Sequence, residues 1–386
     1  MGLVNKKIII IALGATGEGI SGGDRIFIEF ARRWSKKLSV EIYTSQSGKR
    51  MCKALNLPSR VIIHDFNFGF IEYLSKVLFG IYLGWKLKLE KNDILYSASE
   101  FWMDSLPAFV LKLRFPNIKW VASWYQTAPN PLVGFAEGQR QERYRWKALL
   151  YWLAQLPIKP LISRFADFIL INNENEKRHF KNHEKKLVVV LGAVDTDLIS
   201  KYIKKFSKLP KIYEAVFQGR FHPQKGVVEL IKIWKQVVDK IPEAKLVMIG
   251  DGPLMENVKL QITNYKLQNN VELKGYMFDG DEKFKIFAQS KIVVHPALFD
   301  SGGMASAEAM AFGLPCVGFD LPAYVDYYPT GMLKSEVNNI SDFSKLILSL
   351  LDDKRLFVKL AKSAQKLVFS SMSWDNRATE VLGKLL

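Results

Sequence analysis

Residues 215–226 read AVFQGRFHPQKG, and this stretch decides the fold. An apolar run ends in Gly219, and the cations Arg220 and Lys225 follow shortly after it. A short, continuous apolar run bounded by glycine predicts a buried strand of a parallel sheet. Cations that follow such a strand lie near its carboxyl end, where α/β proteins bind anions. The stretch therefore predicts an α/β fold with an anion site.

Two further phrases follow in order and repeat this strand-and-turn pattern. Residues 245–254 read KLVMIGDGPL, and residues 293–317 read VVHPALFDSGGMASAEAMAFGLPCV. The second of these phrases places Asp300 and Glu308 on either side of a Gly-Gly turn. Carboxylates accept hydrogen bonds from sugar hydroxyls and suit them better than they suit phosphate. A nucleotide sugar, with a diphosphate between two sugars, would use both the cations and the carboxylates.

In order and spacing, the three phrases resemble the carboxyl-terminal half of the family 4 glycosyltransferases, which have the GT-B fold. That family typically reads G-R-x-x-x-x-K-G, then G-x-G-P, then E-x7-E within a glycine-rich turn and helix. The resemblance is close over residues 215–335 and loose over the first half of the chain. It implies two Rossmann-like parallel-sheet domains facing across a cleft. It also implies a hexosyltransferase that uses a nucleotide sugar and retains its anomeric configuration.

The domain plan follows from the length of 386 residues and from alternating strand-like and helical patterns. We expect residues 1–195 to form the acceptor-binding domain and residues 196–372 the nucleotide-sugar-binding domain. The polar, basic stretch 196–213 is interpreted as the linker. Residues 373–386 have the pattern of an amphipathic helix, which the resemblance implies crosses back to the first domain.

Eleven strands are predicted from apolar runs bounded by turn residues. They are Ile8–Leu13, Val40–Thr44, Ile94–Ser97, Trp120–Ser123, Phe168–Ile171, Leu187–Leu191, Ala215–Gln218, Lys245–Ile249, Val271–Lys274, Ile292–His295 and Cys316–Gly318. Helices are expected at Asp24–Leu38 and Val228–Lys240. The first apolar run is interpreted as a strand and not as a signal peptide, because it is short and continues into a glycine-rich loop.

The resemblance also implies roles for single residues. Arg220, Lys225 and Asp300 would be catalytic: the cations neutralise the leaving diphosphate, and Asp300 orients the donor sugar. Glu308 would hold the ribose hydroxyls, and its small, apolar neighbours predict that it is buried. The remaining donor-binding positions would be Gly22, Gly23, Gly250, Gly252, Tyr276, Met277, Ser301, Gly302, Gly303 and Met304.

Two positions depart from the family pattern. Asp300 replaces the first Glu of E-x7-E, so the charge is kept and the reach is shorter by one methylene. Trp124 stands where several members, including the phosphatidylinositol mannosyltransferases, have a histidine that faces the reaction centre. Trp124 would either stack on an acceptor sugar or fill core. The front-face mechanism usually proposed for the family needs no such histidine, because the leaving phosphate takes the acceptor proton.

Residues 17–22 read GEGISG, which is the G-x-G-x-x-G pattern of a dinucleotide-binding loop. That pattern requires an acidic residue at the end of the second strand, whereas this strand ends in Thr44 and Ser45. NAD is therefore not expected. Gly22 and Gly23 instead occupy the family's Gly-Gly position, where the lack of side chains lets the loop approach the donor diphosphate.

Two D-x-D strings, at 195–197 and 279–281, raise the question of a divalent metal. The first resembles the family's strand end before the linker, and the second precedes a helical pattern, where Asp is a natural N-cap. The five histidines form no ligand cluster, and Cys52 and Cys316 have neither metal-ligand nor redox spacing. We expect no required metal and no other cofactor beside the donor substrate.

The net charge of +17 is concentrated in the first half of the chain. Residues 1–190 hold 29 Lys and Arg against 16 Asp and Glu, whereas the rest hold 26 against 22. Aromatic and basic residues are interleaved at 70–91 and 140–164, in segments too short to span a bilayer. Such segments suit helices in a membrane interface, although ordinary packing on the sheet would give the same pattern.

We therefore expect a cytoplasmic enzyme, peripheral on the inner face of the cell membrane, with a glycan or lipid-linked acceptor. The absence of any nucleic-acid-binding motif argues against a nucleic-acid partner. A nucleotide-sugar 2-epimerase of the same fold and a non-catalytic glycan-binding relative remain alternatives.

Overall fold

The computed structural model describes residues 6–17, 19–68, 72–134, 145–300 and 302–386. These residues divide into two compact units. The first unit consists of described residues within Met1–Pro129, Leu149–Gly192 and Trp374–Leu386, and the second of those within Asn130–Ala148 and Ala193–Ser373. The chain passes between the units after 129, 148, 192 and 373, and the last two of these positions lie near the boundaries at 195 and 372 given by the sequence.

The first unit is built on a parallel sheet with the described strand order β3-β2-β1-β4-β5-β6-β7. The strand order reverses between β1 and β4, which pair directly, and this is the topological switch point of the sheet. Its strands are β1 (Lys7–Ala12), β2 (Ser39–Ser45), β3 (Ile62–Phe66), β4 (Ile94–Ser97), β5 (Lys119–Ser123), β6 (Phe168–Ile171) and β7 (Leu187–Val189). The helices in this part of the chain are α1 (Gly22–Trp34), α2 (Gln46–Ala54), α3 (Glu72–Lys86), α4 (Trp102–Arg114), α5 (Arg145–Gln155) and α6 (Ile158–Phe165).

The second unit is built on another parallel sheet, with the order β10-β9-β8-β11-β12-β13 and its switch point between β8 and β11. Its strands are β8 (Tyr213–Gln218), β9 (Leu246–Ile249), β10 (Val271–Leu273), β11 (Ser290–His295), β12 (Cys316–Phe319) and β13 (Met332–Ser335). Its helices are α7 (Thr196–Lys205), α8 (Val227–Val238), α9 (Met255–Asn264), α10 (Asp281–Gln289), α11 (Met304–Ala311), α12 (Tyr324–Tyr327), α13 (Ile340–Asp352) and α14 (Lys354–Ser371).

The last helix, α15 (Trp374–Leu385), belongs to the first unit. It packs against α1, where the indole Nε1 of Trp34 donates to the carbonyl of Ala378 at 2.9 Å. Arg33 pairs with Asp375 at 2.9 Å. The expected return of the last helix to the first domain is confirmed by these contacts.

The stretch interpreted as a linker is largely helical. Asp195 caps α7 by accepting a hydrogen bond from the amide of Leu198 at 2.9 Å, and Ile199 is buried. The helix packs against α10 and α11 in the second unit. The linker prediction over 196–213 is wrong for α7 because a polar, basic surface is compatible with a helix that buries a narrow apolar stripe.

All eleven predicted strands are present, with ends shifted by at most two residues. Two further strands, β3 and β13, were not predicted. Each lies at an edge of its sheet. β3 is partly exposed and contains His64 and Asp65, and for this reason it lacks the continuous apolar pattern of the central strands.

Candidate functional site

Most predicted site residues converge at the switch point of the second sheet. Arg220 follows β8 after a single glycine, and Asp300 lies five residues beyond the end of β11. β8 and β11 are neighbours in the sheet, so both loops leave from adjacent carboxyl ends. This is where open α/β sheets bind their ligands.

Lys225 and Asp300 form the central ion pair of the site at this switch point. Their Nζ and Oδ2 atoms are 2.6 Å apart, and both side chains are largely buried. Lys225 ends a short 3-10 turn, Pro223–Lys225, and Gly226 follows with a φ of +61°. A Cβ at Gly226 would come within 1.9 Å of the Pro296 carbonyl oxygen, so the turn that presents Lys225 requires glycine there.

Two further side chains contact the same carboxylate oxygen. His295 Nε2 and the Tyr324 hydroxyl each lie 3.1 Å from Asp300 Oδ2. Burial opposes ionisation, but the Lys225 ammonium and the hydrogen bond to His295 hold the pKa of Asp300 well below its usual range. Burial lowers the pKa of His295, so its imidazole is neutral at pH 7 and can donate from Nε2. Sequence reasoning missed both His295 and Tyr324.

The Gly-Gly turn before α11 packs against aromatic side chains of the protein. A Cβ at Gly302 would lie 2.6 Å from the Tyr327 ring, and Gly303 has a φ of +62°. The Gly302 amide lies 3.4 Å from Asp300 Oδ1, and α11 begins at Met304. Its first backbone amides therefore start beside the central ion pair. The predicted donor-binding residue Ser301 lies outside the described residues.

Glu308 is buried in α11, as its neighbours predicted, with 5% of its surface exposed. Its Oε2 accepts from Gln218 Nε2 at 3.1 Å and from Lys283 Nζ at 2.5 Å. Gln218 is the last residue of β8, directly before the loop that carries Arg220. The carboxylate is thus tied to the same strand end as the anion site.

Lys283 was not predicted. It lies on α10, is 2% exposed, and pairs with Asp279 at 2.7 Å as well as with Glu308. Asp279 belongs to the second D-x-D string, and the residue at the N-cap of α10 is Gly280. The N-cap prediction for this string is wrong because Asp279 compensates a buried ammonium. The first string does cap a helix, through Asp195.

Gly250 and Gly252 have a packing role. Gly250 has a φ of +144°, and a Cβ there would come within 1.8 Å of the Gly219 carbonyl oxygen. A Cβ at Gly252 would lie 2.7 Å from the Phe221 carbonyl oxygen. The glycines therefore let one loop support the backbone on either side of Arg220. The Arg220 side chain is exposed and makes no ion pair with any described residue.

Tyr276 and Met277 follow β10. The Tyr276 ring is 44% exposed and meets Phe278 edge-on, with ring centres 5.0 Å apart. The structure therefore places an exposed aromatic pair at the predicted nucleobase position.

In the first unit, Gly22 and Gly23 open α1, whose cap is a reciprocal hydrogen-bond pair between Ser21 and Asp24. A Cβ at Gly23 would make only ordinary contact, 3.5 Å from the Tyr125 ring. Packing within the described residues therefore does not require glycine at position 23. This is compatible with a loop kept bare for a ligand.

The loop after β1 is held by side chains from three other elements. The Gly14 amide donates to Asp104 at 3.0 Å. The Ala15 carbonyl accepts from Ser45 Oγ at 2.5 Å and from the buried ammonium of Lys76 at 3.2 Å. Burial raises the pKa of Asp104 to about 7, although hydrogen bonds to its carboxylate oppose the rise.

Trp124 lies in the core of the first unit. It is 0% exposed, donates from Nε1 to Thr127 Oγ1 at 2.8 Å, and meets Phe180 edge-on. Its ring has no exposed face on which a sugar could stack. Trp124 therefore fills the core of the first unit, and the prediction that it binds the acceptor is wrong.

Two helices carry exposed apolar faces. On α3 the exposed side chains are Tyr73, Leu74, Leu78, Tyr82 and Trp85, and on α5 they are Trp146, Leu150, Trp152 and Leu153. Lys76, one of the basic residues of the segment 70–91, is buried and does not contribute to this surface. Arg140 and Arg143 lie outside the described residues. Among the described helices, none is long and apolar enough to cross a membrane.

Within the described ranges, no group of three or more His, Cys, Asp and Glu side chains is arranged to hold a metal ion. Cys52 and Cys316 are free and buried, one in each unit.

Two Rossmann-like parallel-sheet units, with the last helix in the first unit, define the GT-B class of fold. The fold class expected from the sequence is confirmed. HepE of Anabaena, solved in complex with UDP and glucose, superposes with a TM-score of 0.74 at 15% identity over 98% of each chain.

Residues 199–367 match the family described as "Glycosyl transferases group 1". The chain is 30% identical over 211 residues to a poly(glycerol-phosphate) alpha-glucosyltransferase of Bacillus subtilis, covering 53% of this chain and 28% of that protein. It is 26% identical over 216 residues to the UDP-Gal:alpha-D-GlcNAc-diphosphoundecaprenol alpha-1,3-galactosyltransferase of Escherichia coli, covering 52% of this chain and 55% of that protein. The chain thus spans less than two thirds of the length of these curated relatives. Over these residues the chain is similar to group 1 glycosyltransferases.

Proposed function

We propose that the protein is a glycosyltransferase that transfers a hexose from a nucleoside-diphosphate sugar to a glycan with retention of anomeric configuration. The observation that carries this proposal is the Lys225–Asp300 ion pair at the switch point of the second sheet, with the buried Glu308 one short helix away. Cations for a diphosphate and carboxylates for sugar hydroxyls thus lie together at the carboxyl ends of the neighbouring strands β8 and β11. The group 1 match over the same residues supports this choice.

In the proposed reaction, Arg220 and Lys225 stabilise charge on the leaving diphosphate, which is the effect that electrostatic catalysis uses. The bond from the anomeric carbon to the phosphate oxygen breaks, and its electron pair leaves with the diphosphate. The acceptor hydroxyl oxygen bonds to the same face of that carbon, and its proton passes to the leaving phosphate. Asp300, held ionised by Lys225 and His295, is proposed to orient hydroxyls of the donor sugar.

The donor-binding proposal keeps the backbone positions Gly22, Gly23, Gly302, Gly303 and Met304, and Tyr276 with Met277 near the nucleobase. Gly250 and Gly252 support the site through packing. A panel of UDP, GDP and ADP tests donor binding by thermal stabilisation. UDP is tried first because the structurally similar HepE was solved with it. A nucleotide at 100 times its Kd should raise the free energy of unfolding of the protein by about 2.7 kcal/mol.

Turnover of the matching nucleotide sugar, with the product anomer identified by NMR, tests the reaction. Detectable transfer with retention supports the proposal. Inversion, or donor consumption that yields only an epimerised nucleotide sugar, contradicts it. We further propose that no metal is required. Activity should therefore persist in excess EDTA, and strict dependence on added Mg²⁺ or Mn²⁺ would overturn this part.

We also propose that the acceptor is lipid-linked and that the first unit docks on the inner face of the cell membrane. The Escherichia coli relative is named for an acceptor on diphosphoundecaprenol, which supports the lipid carrier. The apolar stripe of α3 supports the docking, because Leu78 and Trp85 are 60% and 64% exposed. The cations Lys86, Lys88 and Lys91 follow that stripe and are exposed. This combination is typical of interfacial helices.

Co-sedimentation with vesicles of anionic or neutral phospholipid tests the docking. Binding should favour anionic vesicles and weaken with salt, because each surface cation contributes about 1 kcal/mol. The double variant Leu78→Ser with Trp85→Ser should lose binding. The matched control is Leu260→Ser, which alters an exposed leucine of α9 in the second unit and should bind like wild type. Equal loss in the control, or no wild-type binding at low salt, would contradict the docking and leave a soluble glycan as the proposed acceptor.

A further inference from the structure

Among the described lysines and arginines of the second unit, Lys283 is buried, with 2% of its surface exposed. Its helix, α10, buries Phe284, Ile286 and Phe287 together with Lys283. Lysine is almost never fully buried unless it is paired, because removing an ammonium from water is costly. The side chain also passes close to two aromatic rings, with Nζ 5.5 Å from the centre of Phe284 and 5.7 Å from that of Phe287. A cation in such surroundings indicates a specific partner.

That partner is the carboxylate proposed to bind ribose. Lys283 Nζ lies 2.5 Å from Glu308 Oε2, and Gln218 Nε2 lies 3.1 Å from the same oxygen. The two donors come from different elements, α10 and the end of β8, so they define the carboxylate position from two directions. Asp279 also contacts the ammonium, at 2.7 Å, and so helps to fix Lys283 in turn.

We infer that Lys283 is a positioning residue that holds the Glu308 carboxylate in place for recognition of the ribose hydroxyls of the donor nucleotide. The inference rests on the proposed function and on the ribose-binding role that the sequence resemblance implies for Glu308. Lys283 acts through Glu308 and does not itself touch the ligand. Removing Lys283 should therefore weaken recognition of the ribose hydroxyls and leave the contribution of the diphosphate unchanged.

The test compares two probes, UDP and its 2′,3′-dideoxy form, by isothermal titration. The ratio of the two Kd values measures how much the ribose hydroxyls contribute to binding. In the wild type this preference should be roughly 10-fold or more, since hydrogen bonds to a charged group are the strong ones. Lys283→Met should lower this ratio of Kd values by roughly 5-fold or more, which is within the range of interaction energies between residues in contact. The control, Lys285→Met, alters an exposed lysine of the same helix and should leave the ratio within about twofold.

Two further variants separate the inference from the proposed function. Glu308→Gln should itself abolish most of the preference. The double variant Lys283→Met with Glu308→Gln should match Glu308→Gln alone, because Lys283 acts only through that carboxylate. In this double variant, position 308 carries no negative charge that needs Lys283 as its counter-ion. We therefore expect the double variant to fold and to be measurable even if Lys283→Met alone does not fold.

A wild-type preference that Glu308→Gln leaves intact would refute the ribose assignment, and the inference with it. If instead Glu308→Gln abolishes the preference while Lys283→Met keeps it, only the inference fails. Equal weakening of both probes by Lys283→Met would show a purely structural role and would also overturn it. The inference fails as well if the double variant has a lower preference than Glu308→Gln.

Discussion

The two switch points of this protein use the same position in the fold in different ways. In the second unit, the loops after β8 and β11 bring Lys225 to Asp300, and each residue lies within a short phrase of sequence. In the first unit, the loop after β1 is held by Ser45, Lys76 and Asp104, which are far apart along the chain. Chemistry carried by a local motif can be predicted from sequence, whereas a loop held by distant residues cannot.

The two points also treat their buried carboxylates differently. Asp300 has a cation at 2.6 Å, so its ionised form is favoured despite burial. Asp104 accepts from two neutral donors, the Gly14 amide and the Ser99 hydroxyl, so burial dominates and its pKa rises to about 7. The first arrangement is suited to balancing the charge of a ligand, and the second to fixing the position of a loop.

The largest expected effect is on the turnover rate, when Lys225, the cation of the second switch point, is removed. Lys225→Ala should lower kcat by roughly 10²- to 10³-fold, because it removes charge that matters most when the diphosphate leaves. Steady-state kinetics with the donor identified by the nucleotide panel would measure it. The control Lys232→Ala alters an exposed lysine on α8 and should retain full activity. A folded Lys225→Ala variant with wild-type turnover would remove Lys225 from the proposed mechanism.

The next largest effect concerns stability. Gly250→Ala places a Cβ 1.8 Å from the Gly219 carbonyl oxygen at a φ of +144°, so it should destabilise by about 3 kcal/mol or more. Gly280→Ala is the matched control, because a Cβ there meets no described atom within 4 Å. Urea unfolding of both variants would measure the difference. Equal stability of the two would show that the loop relaxes and that Gly250 is not needed for packing.

The comparison also shows how far sequence reasoning could go. Central strands were predicted well because burial on both faces gives continuous apolar runs, whereas β3 and β13 at the sheet edges were missed. The buried Glu308 was predicted from its small neighbours, but its partner Lys283 was not. Lys283 lies in a helix whose pattern does not distinguish a solvated lysine from a buried one, and its partner is on another element.

Side-chain direction explains the remaining errors. His295 ends a strand that was predicted, yet nothing in its spacing shows that the imidazole contacts Asp300. Trp124 was placed by resemblance at a family histidine position, but the indole packs into the core. Backbone position could thus be derived from pattern, whereas the target of each side chain depended on tertiary packing.

The third prediction tests the raised pKa of Asp104. Because the folded-state pKa of about 7 exceeds the usual value of 3.8, the neutral carboxyl stabilises the fold at low pH, and this contribution is lost as pH rises toward 7. The stability of wild type relative to Asp104→Asn should therefore fall by roughly 2.7 kcal/mol between pH 5 and pH 8, at about 1.4 kcal/mol for each pH unit up to pH 7. Urea unfolding at both pH values measures this. Glu100 has a similar raised pKa but is present in both proteins, so its effect cancels. A difference that does not vary with pH would mean that Asp104 is already ionised at pH 5.

The smallest effect on stability is expected for Gly23→Ala in the first unit, in contrast to the large effect expected for Gly250→Ala in the second. A Cβ at position 23 makes only ordinary contact with Tyr125, and α1 is helical there, so Gly23→Ala should change stability by less than about 1 kcal/mol, with alanine favoured. If the bare loop exists to approach the donor diphosphate, the same variant should nevertheless raise the KM for the donor. Unfolding and steady-state kinetics on one preparation separate the two quantities. Unchanged kinetics in a stable Gly23→Ala protein would remove Gly23 from the donor-binding set. A large loss of stability would instead show that packing requires glycine here, as it does at Gly250.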